Sequence, residues 1–198
     1  DLWFPGHLAG LVGEAEAGGR EFVHSRGVVV GPDGAAGFFS LPRSRFDLGV
    51  EYSPSNWLHR RELIDRIGPW STKAMVSNDL EFLNRLFRSG ALRGSRDELS
   101  ALKFPAVYWK MYSLGAGVAP PQARYLEAMA ADAPGLRDRL LREASAAISK
   151  RASGPGAGRI LAAKLLGPAR YFLRLHAYQH WPLNRLASRR YRRRAGLD

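Results

Sequence analysis

Asp79 lies in the run Ser77-Asn78-Asp79-Leu80-Glu81-Phe82-Leu83-Asn84-Arg85-Leu86-Phe87, where two polar residues open onto an apolar pattern of helical spacing. A carboxylate at the start of a helix is held rigidly, and the unpaired N–H groups there favour its negative charge. Such a group can take a proton from a hydroxyl as a general base. The same residue in the same place is also an ordinary helix-start residue with no chemistry. A second cluster, Asn56, Trp57, His59 and Arg60, combines a ring that can stack on a sugar or base, an amide that can bond hydroxyls and a cation that can meet phosphate. Against this, Trp57 fits a core position, and His59 or Arg60 could pair with Glu62 or Asp65 on the next helix. Lys110 follows an expected strand, where it is either a phosphate ligand or a solvated lysine.

The elements that would carry these residues are legible in outline. Leu8, Leu11, Val12 and Ala15 follow Pro5 at the spacing of a short amphipathic helix, which Gly18-Gly19 stops. Phe22 to Val30 reads as a strand, Gly31-Pro32-Asp33-Gly34 as a turn and Gly37 to Leu41 as the return strand. Residues 42–55 lack periodicity and are expected to form a loop over a site. Trp57-Leu58 suggests a short buried strand, and Leu63, Ile64 and Ile67 line a helix ended by Gly68-Pro69. Asn78 with Glu81 three residues later predicts a capping box that makes Asp79 the first helical residue, with Phe82, Leu83, Leu86 and Phe87 as the buried stripe. Leu102 to Trp109 predicts another strand, with Pro105 favouring an edge or a strand start. Beyond Pro120-Pro121, Leu126 and Met129 and then Leu136, Leu140, Leu141, Ala144 and Ile148 suggest two helices before the glycine-rich stretch 153–158.

Residues 56–70, N-W-L-H-R-R-E-L-I-D-R-I-G-P-W, and 77–90, S-N-D-L-E-F-L-N-R-L-F-R-S-G, resemble the acceptor half of family 2 glycosyltransferases. There a strand runs through paired arginines into a helix ending in I-G, and an E-D-x-x-hydrophobic-x-x-R-L helix follows. The resemblance covers about residues 1–115. It implies an α/β fold, a partial GT-A-like α/β/α sandwich with a mixed sheet, in which residues 1–119 are the acceptor-side part and 120–198 a helical, basic C-terminal extension. It implies that Asp79 is the base that deprotonates the acceptor hydroxyl while a nucleoside diphosphate leaves with inversion. Asn78 stands where the family usually has Glu, and Arg85 falls at its R-L position. The resemblance assigns Asn56, Trp57, His59, Arg60 and Lys110 to the donor–acceptor cleft. Asp1, followed by Leu2-Trp3-Phe4-Pro5 and Leu8, resembles the last acid of the D-x-D motif that holds Mg²⁺ or Mn²⁺. The implied partners are a nucleotide-sugar donor and a glycan, lipid-linked or protein acceptor. The nucleotide-binding half and the native N-terminus are then expected to precede Asp1, leaving this chain inactive alone.

With 198 residues, 45% of them hydrophobic and 24% charged, the chain can bury one sizeable core. Having no cysteine, it excludes disulfides, thiolate metal sites and a cysteine nucleophile. No apolar run approaches the roughly 18 to 20 residues of a membrane-spanning helix. The net charge of +12 is concentrated at one end: residues 1–119 hold 14 Lys+Arg against 13 Asp+Glu, and residues 120–198 hold 16 against 5. Between Arg170 and Arg194, arginines alternate with Tyr171, Phe172, Leu175, Tyr178 and Trp181, a composition suited to an anionic membrane surface, although Pro182 must break any helix there. Nucleic acid would use the same residues, but no zinc spacing, RNA-recognition strand or helix-turn-helix accompanies them. The expected location is cytoplasmic, peripheral to the inner membrane face. The rival class is a basic adaptor or nucleic-acid-binding module without catalysis.

Overall fold

The computed structural model describes residues 1–39, 53–71, 78–105 and 120–153. Its elements in chain order are β1 (Leu2–Trp3), α1 (His7–Ala17), β2 (Phe22–Gly31), β3 (Gly34–Phe39), a 3₁₀ turn (Pro54–Asn56), β4 (Trp57–His59), α2 (Glu62–Ile67), α3 (Asn78–Arg88), β5 (Arg93–Lys103) and α4 (Ala123–Ser153). The β-branched run Val28-Val29-Val30 gives β2 its strength as a buried strand, and β2 forms the centre of a five-stranded mixed sheet. One of its edges pairs in parallel with β5, from Phe22 opposite Arg93 to Val29 opposite Lys103. Its other edge serves two antiparallel partners in turn, β4 at Phe22–His24 and β3 at Gly27–Gly31. Strand β1 adds to the far side of β5, pairing Leu2 with Leu102 and Trp3 with Ala101. The class is therefore α/β with a mixed sheet.

Where β2 changes partner, its register with β5 also slips: Ser25 pairs with Arg96, Arg26 with Leu99 and Gly27 with Ala101. The extra residues bulge from β5, and Asp97 in the bulge reaches back to Arg26 at 3.5 Å. Gly27 is required beside the slip, because a Cβ there would lie 2.0 Å from the Phe39 ring on β3.

Among the described residues the apolar side chains form two cores. The first joins Phe4, Val28, Val30, Leu99, Leu102 and Phe104 to Tyr125, Met129, Leu136, Leu140 and Ala144 of α4. Residues 123–153 thus share a core with the sheet. Strand β3 sits under α4, whose Glu143 accepts a hydrogen bond from the Ala35 amide at 3.0 Å. Two helical arms meet in α4 at Asp132, which has extended angles (φ −157°, ψ 84°), and its carboxylate caps the second arm by accepting from the Gly135 amide at 2.9 Å. The second core joins Phe22 and Ala91 to Leu63 of α2 and Phe82, Leu83 and Leu86 of α3.

Several expectations are corrected. In α1 the buried residues are His7 and Leu11, while Leu8 and Val12 face outward; the inward face is the one that carries His7 to Ser100 on β5. Strand β4 is half-buried rather than buried. The strand expected at 102–109 begins nine residues earlier and ends at Lys103, before Pro105, and it runs between β1 and β2 rather than at an edge. Leu126 and Ile148 are exposed on α4. The expected loop at 42–55 lies outside the described residues except for Ser53 to Ser55, and so does Leu41 of the return strand.

Glu81 does not reach back as a capping-box partner. Both its oxygens accept from Arg85, one turn on, at 2.7 and 2.8 Å. The bidentate, charge-assisted pair outcompetes a single bond to a backbone amide. The remaining Arg85 N–H groups donate to the carbonyls of Ile67, Gly68 (2.9 Å) and Pro69 (2.8 Å), closing the C-terminal end of α2. Arg85→Met should therefore destabilise the protein by about 2 to 3 kcal/mol in urea melts, since it orphans several partly buried acceptors and a carboxylate. Glu81→Gln, which keeps the carbonyl contacts, should cost less; equal costs would show that the α2 carbonyls contribute nothing.

Candidate functional site

Segment 53–59 is held at both ends. Asn56 is buried, and its side-chain amide donates to the Ser25 carbonyl at 2.6 Å, filling the gap on β2 between the β4 and β3 ladders. Just before it, the Ser55 hydroxyl donates to Asp1 Oδ2 at 2.7 Å, and the Ser55 carbonyl accepts from the Trp3 indole N–H. The other Asp1 oxygen accepts from the Phe104 amide at 3.1 Å, just past the end of β5. Asp1 thus ties the start of the chain to both β5 and the 3₁₀ turn.

The other end of the segment meets α3. Trp57 packs against Phe22 (ring centroids 5.7 Å apart) and stacks on Trp70 at 6.2 Å; Trp70 stacks in turn on Phe82 at 4.9 Å. His59 tilts against the same Phe82 ring at 5.4 Å. Its Nδ1 bonds the Arg60 carbonyl at 3.1 Å, while Arg60 Nε donates to the Arg20 carbonyl at 3.1 Å. Asp79 is partly buried in the first turn of α3, three residues before Phe82 and so on the same helix face. The structure therefore brings Ser55, the neighbour of Asn56, onto Asp1, points the Asn56 side chain to β2, and brings Trp57 and His59 towards α3. The chain leaves the 3₁₀ turn at Asn56 and runs extended only through Trp57–His59. Lys110 lies outside the described residues.

Asn56 and Trp57 both work inside the fold, the first as a peg and the second at the edge of a core. Arg85 is likewise consumed by Glu81 and the α2 carbonyls. By themselves the described residues do not fit a divalent cation: no three His, Cys, Asp or Glu side chains converge among them, and both Asp1 oxygens already accept hydrogen bonds.

Sequence reasoning misses one polar constellation. His7 Nδ1 lies 2.7 Å from Ser100 Oγ, whose hydroxyl donates to Ser25 Oγ at 2.6 Å. The Ser100 oxygen then accepts from His7 Nδ1–H. Separations of 93 and 75 residues leave no local signal of this chain. A serine beside a histidine is the arrangement of an activated nucleophile. Here His7, Ser100 and Ser25 are 3%, 2% and 0% exposed, which denies a substrate access and marks the chain as internal. A groove of about 480 Å³ lies between the turn at Pro32–Gly34 and α4, lined by Arg124, Tyr125, Ala128, Arg139, Leu140 and Glu143 among others, and includes none of the expected site residues.

Burial, followed by the positive charge of Arg96, holds the His7 pKa below the ordinary histidine range. The unfolded chain then binds more protons in the window below about pH 6.5, so this contribution is complete above that pH and is lost on acidification towards the folded pKa. Urea midpoints should accordingly fall below about pH 6.5, and His7→Asn, which keeps a donor for Ser100 but cannot titrate, should flatten that part of the profile. Glu21 is held below its usual value chiefly by its hydrogen bond to Arg66, then by the Leu92 amide, and loses its contribution as pH falls through its depressed pKa. That lower-pH loss should persist in the variant. An unchanged profile between pH 5 and 7 would show that His7 charges freely in the folded state.

No known family model, curated protein or solved structure matches this chain.

Proposed function

We propose that this chain is the acceptor-side part of an inverting, nucleotide-sugar-dependent glycosyltransferase of the GT-A type, with Asp79 as the base and a nucleotide-binding half supplied by residues outside the chain. The observation that carries the reading is segment Ser55–His59, which touches Asp1 at one end and the first turns of α3 at the other. A donor phosphate end near Asp1 and an acceptor hydroxyl near Asp79 would then flank one short stretch of backbone.

In this mechanism the Asp79 carboxylate accepts the acceptor's hydroxyl proton as that oxygen attacks the anomeric carbon and the nucleoside diphosphate departs from the opposite face. The helix start fixes the carboxylate in place. Trp57 shapes the wall between donor and acceptor, Asn56 holds that wall to β2 from inside, and His59, Arg60 and Lys110 supply polar contacts. Asp1 would give one carboxylate to a Mg²⁺ or Mn²⁺ whose other ligands lie outside the described residues. The acceptor is a glycan, a lipid-linked saccharide or a protein. The basic segment 159–198, with ten Lys+Arg and only Asp198 opposing them, holds the enzyme at an anionic, cytoplasmic membrane face.

Two experiments test this. In the complete protein, Asp79→Asn should lower turnover by about 10² to 10⁴-fold with donor KM little changed, because a base acts in the transition state and not in ground-state binding. Turnover close to that of the unsubstituted protein would sink the mechanism. Deleting residues 159–198 should abolish co-sedimentation with anionic vesicles while the sheet stays folded, and high salt should weaken rather than erase binding by the intact chain, since the interleaved aromatics add an apolar component. Steeply salt-dependent DNA or RNA binding without vesicle binding would favour the rival basic adaptor.

A further inference from the structure

We propose that His7 is a positioning residue that sets the placement of Asp1 and Asn56, acting through Trp3 and Ser100. Two separate routes leave its ring and arrive on adjacent residues. By its flat face His7 stacks under Trp3, with centroids 4.7 Å apart and planes 21° from parallel; the Trp3 indole N–H donates to the Ser55 carbonyl, and the Ser55 hydroxyl holds Asp1 at 2.7 Å. By its edge, Nδ1 bonds Ser100 at 2.7 Å; Ser100 bonds Ser25 at 2.6 Å, and the Ser25 carbonyl takes the Asn56 amide at 2.6 Å. The ring is fixed from behind by its own backbone, whose amide donates to the Phe4 carbonyl at 3.1 Å, while the Phe4 amide donates to the Ser100 carbonyl at 2.9 Å. Few side chains offer both an aromatic face and an N–H edge in this volume. Phenylalanine keeps the face and loses the edge; asparagine keeps a donor near the position of Nδ1 and loses the face.

This supplies a function for a buried polar chain that the proposed mechanism leaves unused. A fully satisfied hydrogen-bonded network in a low-dielectric interior fixes geometry more sharply than apolar packing does. Here it fixes the segment that the proposed reaction needs between donor and acceptor. The inference rests on the preceding reading only in taking Asp1 and Asn56 to border the site.

The test is backbone amide hydrogen exchange on the full chain. The Phe104 amide, bonded to Asp1 Oδ1, reads the Trp3 route alone, and the Asn56 amide, bonded to the Ser53 carbonyl at 3.0 Å, reads the Ser100 route together with the Trp3 contact on its own peptide unit. His7→Phe should lower protection about fivefold or more at Asn56 and leave Phe104 near its original value; His7→Asn should lower it at Phe104, and at Asn56 as well, because the Ser55 carbonyl that Trp3 bonds shares a peptide unit with the Asn56 amide. Gly68 and Ser89, whose amides bond Ile64 and Arg85 carbonyls in the second core, should not change in either variant. Should His7→Phe fail to fold, Ser100→Ala cuts the same route and must give the Asn56 pattern. Lost protection at Phe104 in His7→Phe, unchanged protection at Phe104 in His7→Asn, equal losses at Gly68 and Ser89, or no change at either reporter would overturn the proposal. No donor enters the measurement, so its failure leaves glycosyl transfer to be judged by Asp79→Asn, and failure of that variant's prediction leaves the exchange pattern standing.

Discussion

Across the parallel ladder of β2 and β5, Ser100 donates a hydrogen bond to Ser25 at the level where β2 changes its outer partner from β4 to β3. On one side of this level lies the core built on Val28, Val30, Leu99 and Leu102; on the other lies the core built on Phe22, Leu83 and Leu86. His7, Ser25, Ser100 and Asn56 belong to neither, and together they form a polar seam through the sheet. A hydroxyl buried there without a partner would cost about 1 to 3 kcal/mol, so each must find one, and their partners in turn fix β1, α1 and the 3₁₀ turn. The seam settles the register of the sheet as well, because sliding either strand by one residue would set a serine against an apolar core.

The ion pairs contribute differently. Glu98 on the β5 bulge bridges Arg96 and Arg137, and Arg137 lies over the Phe4 ring at 4.9 Å. Because these side chains are a quarter to a third exposed, the pairs add little stability. Their role is to orient α4 over the sheet. The described part of the chain is close to charge balance, and most of the excess positive charge belongs to residues 154–198.

Local chemistry explains which parts of the fold were readable from sequence. β2, the turn at Pro32-Asp33 and the stripe of α3 were visible because a β-branched run, turn residues and a 3–4 repeat each act within a few residues. Asp132 could pass unnoticed as a surface residue, yet the break between the two arms of α4 was anticipated from the apolar spacing on either side. β5 was misplaced because Arg93-Gly94-Ser95-Arg96-Asp97-Glu98 has neither alternation nor bulk; it is a strand because β2 supplies its ladder. Glu81 fitted a capping box until Arg85 offered a better partner. Of the site, the helix-start position of Asp79 was legible, whereas the link from Asp1 to Ser55 and the convergence of His7, Ser100 and Ser25 were not. They arise from contacts made over tens of residues, which no periodicity encodes.

The carboxylate that α4 places on β3 also bears on how this sheet meets other molecules. An exposed strand edge is a row of unpaired N–H and C=O groups, and a second chain can extend the sheet along it. At one flank β1 is only two residues long, too short to template a neighbour. At the other, Glu143 occupies the Ala35 amide near the start of β3, so an incoming strand would meet a negative charge where it needs a free donor. Among the described residues strand addition is thus disfavoured at the Ala35 end of β3, while β5 from Arg93 to Ser100 has no strand on the side away from β2.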